Sequence, residues 1–154
     1  MSTLSDLIKK HCPDGVEYKK LKDCTTYIRG RGLSKNDKGT GTNPIILYGE
    51  LYTTYDNYIY DINSFASDDA VKSSMLVNYD SIVLPISSTT KEAQIGKATV
   101  VKCSSVYLGG DAICLVPHNY INSDYLMYLL NGKAFEKSNA AFRRPPCAIF
   151  QLQG

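Results

Sequence analysis

A dense run of tyrosines in residues 44–60, PIILYGELYTTYDNYIY, limits the folds that are open to this chain. The whole chain has 12 tyrosines and no tryptophan. Aromatic residues are enriched in β-strands, where they lie half-buried on a sheet. Tyrosine also suits contact surfaces, because it is flat and amphipathic and loses little entropy when it is immobilised. The run therefore favours a β-rich domain, and its tyrosines are either strand residues or part of a binding surface.

The composition is that of one globular domain. The chain has 154 residues, 44% of them hydrophobic, which is too apolar for a disordered chain. Its 5 cysteines and 2 histidines show no zinc-ligand spacing, so we expect reduced thiols in a cytoplasmic protein. No apolar run approaches the roughly 20 residues of a membrane span. The amphipathic N-terminus does not resemble a secretory signal, and we expect no membrane contact.

Local patterns predict a helix near each end of the sequence and strands between them. Thr3 and Asp6 predict a capped helix over 3–11, and Asn122 or Ser123 predicts a second over 122–130. Strands are predicted at 17–21, 24–28, 44–48, 51–55, 81–86, 98–102 and 112–116, with a short helix in 64–74. Pro85 places its strand at a sheet edge or a bulge. Because the strands are followed by a helix and do not alternate with helices, the predicted class is α+β.

Charge is unevenly distributed along the chain. The net charge is +2, but it is +4 over residues 1–40, −5 over 41–80 and +3 over 81–154. Such a distribution is compatible with one positive face and equally with an ordinary solvated surface. Two polar loops, at 29–39 and 87–97, combine cations with glycines or hydroxyls and can donate hydrogen bonds to phosphate oxygens or base edges.

Motifs for catalysis are incomplete. PDGVEYK at 13–19 resembles a nuclease PD…ExK pattern, but two intervening residues cannot place both carboxylates on neighbouring strands. GRGLSK at 30–35 lacks the full phosphate-cradle spacing. The adjacent residues 11–12, His-Cys, have no acid partner, and the prolines at 145–146 lack the context of an amino-methyltransferase motif. The sequence predicts binding without a catalytic, metal or cofactor site, and a small Cys–His or metal-dependent hydrolase stays as an alternative.

Several short segments form an ordered series along residues 4–140. They are LSDLIKKHCPDGVEYKKLKD (4–23), RGRGLSK (29–35), PIILYGELYT (44–53), IGKA (95–98), GGD (109–111) and YLMYLLN (125–131). Together they resemble the target recognition domain of the specificity subunit of type I restriction-modification systems. The resemblance implies a β-rich mixed-sheet DNA-recognition domain with a few short helices over residues 1–142, followed by an atypical tail over 143–154.

The same resemblance implies a module that recognises one half of a split double-stranded DNA target and performs no chemistry. In that family, modification subunits methylate adenine with S-adenosylmethionine, and a restriction subunit joins for cleavage. The tail, RRPPCAIFQLQG, departs from the family pattern, since no spacer helix and no second recognition domain follow. We therefore expect a truncated product, or a fragment that pairs with another half-subunit or with itself.

Polar loops contact the DNA in such domains, and the matching positions here supply the candidate site. We expect backbone contacts from Arg29, Arg31, Lys35 and Lys38, contacts nearer the bases from Tyr52, Tyr55, Ser88, Thr89 and Lys91, and a further donor in Lys97. The alternative is a truncated specificity module that binds a modification subunit or another half-subunit without useful DNA affinity.

Overall fold

Two mixed β-sheets and five short helices make up the fold in the computed structural model, which describes residues 3–15, 17–87 and 95–132. The helices are α1 (Leu4–His11), α2 (Leu21–Cys24), α3 (Glu50–Thr53), α4 (Asp68–Val71) and α5 (Ser123–Leu130). The strands are β1 (Thr25–Arg29), β2 (Asn43–Ile46), β3 (Tyr58–Ile59), β4 (Ser64–Ala66), β5 (Met75–Val77), β6 (Ile82–Pro85), β7 (Thr99–Val101), β8 (Val106–Leu108) and β9 (Ala112–Pro117).

The strands are arranged in a five-stranded and a four-stranded sheet. The larger sheet has the order β1-β9-β6-β7-β3, and the smaller has the order β4-β2-β8-β5. Pairing is antiparallel except between β3 and β7 and between β2 and β8, which run parallel. The strand β1 therefore lies at one edge of the larger sheet and β3 at the other.

The central strand β6 separates two parts of the hydrophobic core. Ile82 and Leu84 belong to a buried cluster that includes Leu126 of α5. Val83 points the other way, because side chains alternate across a strand, into a cluster with Ile46 and other residues of the smaller sheet. Burial on both faces explains why SIVLPI is apolar without alternation.

Several of the predicted elements are confirmed. Thr3 and Asp6 form the expected capping box, with the Thr3 amide donating to the Asp6 carboxylate at 3.0 Å. Asn122 caps α5 by accepting a hydrogen bond from the Tyr125 amide at 2.8 Å. The strands predicted at 24–28, 44–48, 81–86, 98–102 and 112–116 correspond to β1, β2, β6, β7 and β9.

Three predicted elements are wrong in type or extent. Residues 17–20 are irregular and lead into α2, and residues 50–53 form α3 where a strand was expected. The short helix expected within 64–74 is confirmed as α4 with Ser67 as its cap, accepting from the Ala70 amide at 3.3 Å, but it is shorter than the segment because residues 64–66 form β4. In each case tertiary packing outweighs a weak local propensity.

The strand of Pro85 lies inside the sheet, between β9 and β7, and not at an edge. Its position at the end of β6 removes the conflict, because β7 pairs only with Ile82 and Val83. The missing proline N–H is therefore not needed on that side. The Pro85 carbonyl still accepts a hydrogen bond from the Gly96 amide at 2.8 Å.

Candidate nucleic-acid interface

The basic loop, defined here as residues 29–38, follows β1 and is fixed by backbone hydrogen bonds. The Gly30 amide donates to the Ala112 carbonyl at 2.9 Å, and the Arg31 amide donates to the Leu108 carbonyl at 3.3 Å. A Cβ atom on Gly30 would lie 1.9 Å from the Gly109 carbonyl oxygen, so only glycine permits this approach. The loop is therefore held against the turn between β8 and β9.

A side-chain anchor and a capped turn complete the fixation of the basic loop. Leu33, at a φ of 44°, packs against a cluster formed by Ile45 and Ala66 of the smaller sheet and Val71 of α4. Asp37 accepts hydrogen bonds from the Ser34 amide at 2.7 Å and from the Ser34 hydroxyl at 2.8 Å. These two bonds lower the pKa of the Asp37 carboxyl. Its charge is thus used to hold the loop in shape.

Three cations of the basic loop project into solvent. Arg29, Arg31 and Lys35 are all exposed. Within residues 3–15, 17–87 and 95–132, none of the three makes an ion pair or a side-chain hydrogen bond. Their charges are therefore available to a ligand, and phosphate oxygens are suitable acceptors for them.

Lys38 is the exception in this loop. Its Nζ lies 2.9 Å from Oε1 of Glu50, which also accepts a hydrogen bond from the Ser64 hydroxyl. The second oxygen of Glu50 accepts from the Leu47 amide at 3.0 Å. The Glu50 residue is only 6% exposed, so Lys38 compensates a buried charge. A contact between Lys38 and a phosphate would therefore compete with the pairing of Lys38 and Glu50.

Tyr55 and Lys97 are also engaged inside the molecule. Tyr55 is 8% exposed, its hydroxyl accepts from the Asn63 amide at 3.2 Å, and burial raises its pKa. The Lys97 ammonium donates to the Tyr55 carbonyl at 2.9 Å and lies 3.7 Å from Asp56. Tyr52 is only partly buried, with its ring centroid 6.3 Å from that of Tyr48. Ser88, Thr89 and Lys91 lie outside the described residues.

The structure adds two serines to this surface that the sequence did not single out. The Ser74 hydroxyl donates to the Arg31 carbonyl at 3.0 Å, and Ser73 lies against Gly32. Both serines follow α4, more than forty residues from Arg31. No local pattern marks them, because their position depends on how α4 packs over the smaller sheet.

A metal site would need several ligands close together within the described part of the chain. No group of three or more His, Cys, Asp or Glu side chains there is placed to hold a metal ion. Cys12, Cys24, Cys103 and Cys114 are free thiols. The described helices include none long and apolar enough to cross a membrane.

Comparison with known proteins gives similarity at the level of structure. No family model matches the chain, and no curated protein matches it significantly. The HsdS subunit from Thermoanaerobacter tengcongensis is similar, with a TM-score of 0.57 and 11% identity over 84% of this chain and 29% of that chain. A chain from a structure of complex assembly and conformational transition in the type I R-M system has a TM-score of 0.59 and 14% identity, over 90% of this chain and 34% of that one.

The chain has the fold of a type I specificity subunit. The resemblance stated from sequence segments is therefore confirmed for the fold, and so is the α+β class with mixed sheets and a few short helices. The chain spans about a third of the length of the two proteins just described. The similarity covers 84% of this chain in one comparison and 90% in the other.

Proposed function

We propose that this chain is a non-catalytic module that binds double-stranded DNA in a sequence-specific way and supplies target recognition to a type I restriction-modification complex. The observation that carries the proposal is the set of exposed cations Arg29, Arg31 and Lys35 on one backbone-fixed loop. Lys97 and Lys102, by contrast, are 15–16% exposed and paired internally, while Lys9, Lys10 and Lys22 are exposed on the separate helices α1 and α2. The exposed loop cations are thus distinct from the structural lysines.

The three loop cations supply affinity in this proposal, and polar side chains nearby supply discrimination. Contacts to phosphates are independent of sequence, so they fix the position of the protein on the duplex. Tyr52 is the partly exposed tyrosine of the candidate set, and Ser88, Thr89 and Lys91 stay proposed base contacts. Each good contact to a base edge would contribute about 1–3 kcal/mol of discrimination against the wrong base.

The partners of the module are part of the same proposal. A methyltransferase (modification) subunit would perform the methylation, and a restriction subunit would join it for cleavage. A second half-subunit, or a second copy of this chain, would recognise the other half of a split target. Linking two half-sites raises the effective affinity of each, so a single module is expected to bind weakly.

A titration of the full chain with duplex DNA tests the proposal. Duplexes enriched from a random pool and unselected duplexes are compared across a salt series by fluorescence anisotropy. Three phosphate contacts predict that the logarithm of the association constant falls with the logarithm of salt concentration with a slope of about −2.7, at about 0.9 per contact. Binding without a salt slope, or no binding at low salt, would refute the proposal, and equal affinity for both pools would refute its sequence specificity.

A further inference from the structure

A second surface, at the opposite edge of the larger sheet from β1, is rich in tyrosine. This tyrosine patch consists of Tyr58, Tyr60, Tyr79 and Tyr128, arranged around Lys102. The rings of Tyr58 and Tyr60 have centroids 5.8 Å apart, and the Lys102 ammonium lies 5.6 Å from the Tyr79 ring and 6.0 Å from the Tyr58 ring. The neighbouring Tyr128 hydroxyl, together with burial, raises the pKa of Tyr58 to about 12. The patch is therefore one connected group of side chains.

Three of the four aromatic side chains of the patch are mostly exposed to solvent, while Tyr58 packs partly against the core. Tyr60 is 64% exposed, Tyr79 is 62% exposed and Tyr128 is 58% exposed. These three side chains do not fill the core, because more than half of each is exposed to solvent. Clusters of exposed aromatic residues of this kind mark interaction sites.

Lys102 forms ion pairs that connect the elements carrying the patch. Its Nζ lies 2.5 Å from Oδ1 of Asp80 and 3.1 Å from Oδ1 of Asp124, and its side chain is only 15% exposed. Asp80 precedes β6, Lys102 follows β7, and Asp124 belongs to the first turn of α5. Three separate elements are thus pinned beneath the tyrosines, which makes the patch a fixed platform.

The exposed charge of this region is negative. The carboxylates of Asp80 and Asp124 have side-chain exposures of 46% and 41%, and that of Asp56 has 97%. Asp61, beside Tyr60, is also exposed. Among the described residues, the two amines near the patch belong to Lys97 and Lys102, whose side chains are 16% and 15% exposed. A ligand therefore meets the exposed carboxylates of Asp56 and Asp61, the partly exposed aspartates that pair with Lys102, and tyrosine rings.

This combination of groups selects a protein partner that presents cations. Phosphate groups of DNA would be repelled by the carboxylates, so a second nucleic-acid contact is disfavoured here. Guanidinium and ammonium groups are attracted both to carboxylates and to the faces of tyrosine rings. Exposed tyrosines also give large contact area at low entropic cost, as in the central contacts of protein interfaces.

The position of the patch leaves the basic loop free. Arg29 ends β1 at one edge of the larger sheet, and Tyr58 begins β3 at the other edge. A partner on the tyrosine patch and a duplex on the basic loop would therefore occupy different edges. Because the two surfaces carry opposite charge, the basic loop would not attract the cationic partner and the tyrosine patch would not attract the duplex.

We propose that the tyrosine patch is the docking surface for an arginine- or lysine-bearing face of the modification subunit. The proposal rests on the function proposed above, because that function names the partner. The chemistry of the patch adds which surface of this chain the partner touches and which charge the partner presents there.

The test is a pair of titrations on the same set of full-length variants, one with the modification subunit of the same system and one with duplex DNA. Y60A/Y79A removes two patch tyrosines, and Y18A/Y27A removes two others that are 72% and 53% exposed. We expect Y60A/Y79A to bind the modification subunit about tenfold more weakly or worse. The Y18A/Y27A variant should stay within about twofold of the wild type, and both variants should keep their DNA affinity. A second variant, D56N/D61N, should also weaken subunit binding and flatten its salt dependence.

Each opposite result overturns the inference. Unchanged subunit binding by Y60A/Y79A, or an equal loss in Y18A/Y27A, would show that the patch is not the docking surface. A wild-type chain that binds duplex but not the modification subunit would defeat the inference and leave DNA binding intact. Self-association that Y60A/Y79A abolishes, without any subunit binding, would assign the patch to a second copy of this chain instead.

Discussion

The ammonium group of Lys38 lies 2.9 Å from the Oε1 atom of Glu50, a residue that is 6% exposed. The same carboxylate accepts hydrogen bonds from the Leu47 amide and the Ser64 hydroxyl. Glu50 therefore connects the end of the basic loop to β2, α3 and β4. Since a buried carboxylate is stable only when it is paired and hydrogen-bonded, this group links the shape of the loop to the packing of the smaller sheet.

Removing Glu50 should destabilise the protein strongly. Glu50→Ala leaves the Leu47 amide, the Ser64 hydroxyl and Lys38 without their acceptor, and we expect a loss of about 3 kcal/mol in the free energy of unfolding. Glu17→Ala removes an exposed carboxylate paired with Lys19 and should cost less than about 0.5 kcal/mol. Urea denaturation monitored by circular dichroism measures both. Equal stability of the two variants would mean that the Glu50 cluster does not hold the loop.

Gly30 should tolerate no side chain. Gly30→Ala places a Cβ atom 1.9 Å from the Gly109 carbonyl oxygen, so the backbone must move, and we expect a loss of about 2 kcal/mol or more. Gly49→Ala is the matched control, because Gly49 has ordinary helical angles and the nearest atom, the Tyr52 hydroxyl, lies 3.7 Å away. The control should be neutral or slightly stabilising. Thermal unfolding of both variants gives the comparison, and a fully stable Gly30→Ala would contradict the described approach of the two glycines.

Asp80 should contribute stability at neutral pH and lose it in acid. Burial alone would raise its pKa, but hydrogen bonds from Lys102 and Ser123 lower the pKa below its ordinary value of 3.8. A lowered pKa means that the contribution is present above pH 3.8 and disappears as the pH falls further. Asp80→Asn keeps a residue that accepts the positive φ of 66° and should cost about 1 kcal/mol at pH 7.

The pH dependence separates this ion pair from a purely steric effect. The stability difference between Asp80→Asn and the wild type should shrink below pH 3.8 in denaturant titrations. Asp69→Asn breaks an exposed pair with Lys72 and should change stability by less than about 0.5 kcal/mol at any pH. A difference for Asp80→Asn that stays constant from pH 7 to pH 3 would argue against the Lys102 pairing.

The Cys114 thiol should not react with a disulfide reagent while the protein is folded. The residue is fully buried, and burial raises the pKa of its thiol to about 11. Thiolate is the reactive form, so labelling by a disulfide reagent at pH 8 should wait for unfolding. Cys12 is only partly buried and should react much sooner. Peptide mapping by mass spectrometry identifies the labelled positions, and early labelling of Cys114 would indicate that β9 opens readily.

Local signals were sufficient for the parts of the fold that local contacts decide. Thr3 with Asp6 and Asn122 with the Tyr125 amide satisfy helix termini within four residues, so the sequence displays these caps directly. The apolar strands β7 and β9 are also evident, because every residue of β7 is buried. The two helix caps depend little on the rest of the chain, whereas β7 and β9 are recognisable because their residues are mostly apolar.

Distant contacts decided the elements that were predicted wrongly. Residues 51–55 have the aromatic composition of a strand. The buried Glu50, however, pairs with Lys38 and with the Ser64 hydroxyl, and the chain forms α3 from this residue. Tyr55 is then buried in the core cluster that contains Ile46 and Val83. No spacing within the segment predicts this, because the partners of Glu50 lie twelve and fourteen residues away.

In the candidate interface, too, local sequence shows some features and only the fold shows others. The sequence located the basic loop, but it could not separate Arg29, Arg31 and Lys35, which face solvent, from Lys38 and Lys97, which are paired within the fold. It also gave no sign of Ser74, whose hydroxyl meets Arg31 across 43 positions of the chain. Residue type identifies a cation, whereas only the fold shows whether its charge is already paired with another group of the protein.

The most direct test of DNA recognition compares two triple variants with equal loss of charge. R29Q/R31Q/K35Q removes the exposed cations of the basic loop, and K9Q/K10Q/K22Q removes three exposed cations of α1 and α2. In a salt series with duplex DNA, the loop variant should bind at least about tenfold more weakly, with a slope that is shallower by about 2–3, while the control stays close to the wild type. Equal behaviour of the two variants, or undiminished binding by the loop variant, would contradict the assignment of the basic loop to the duplex.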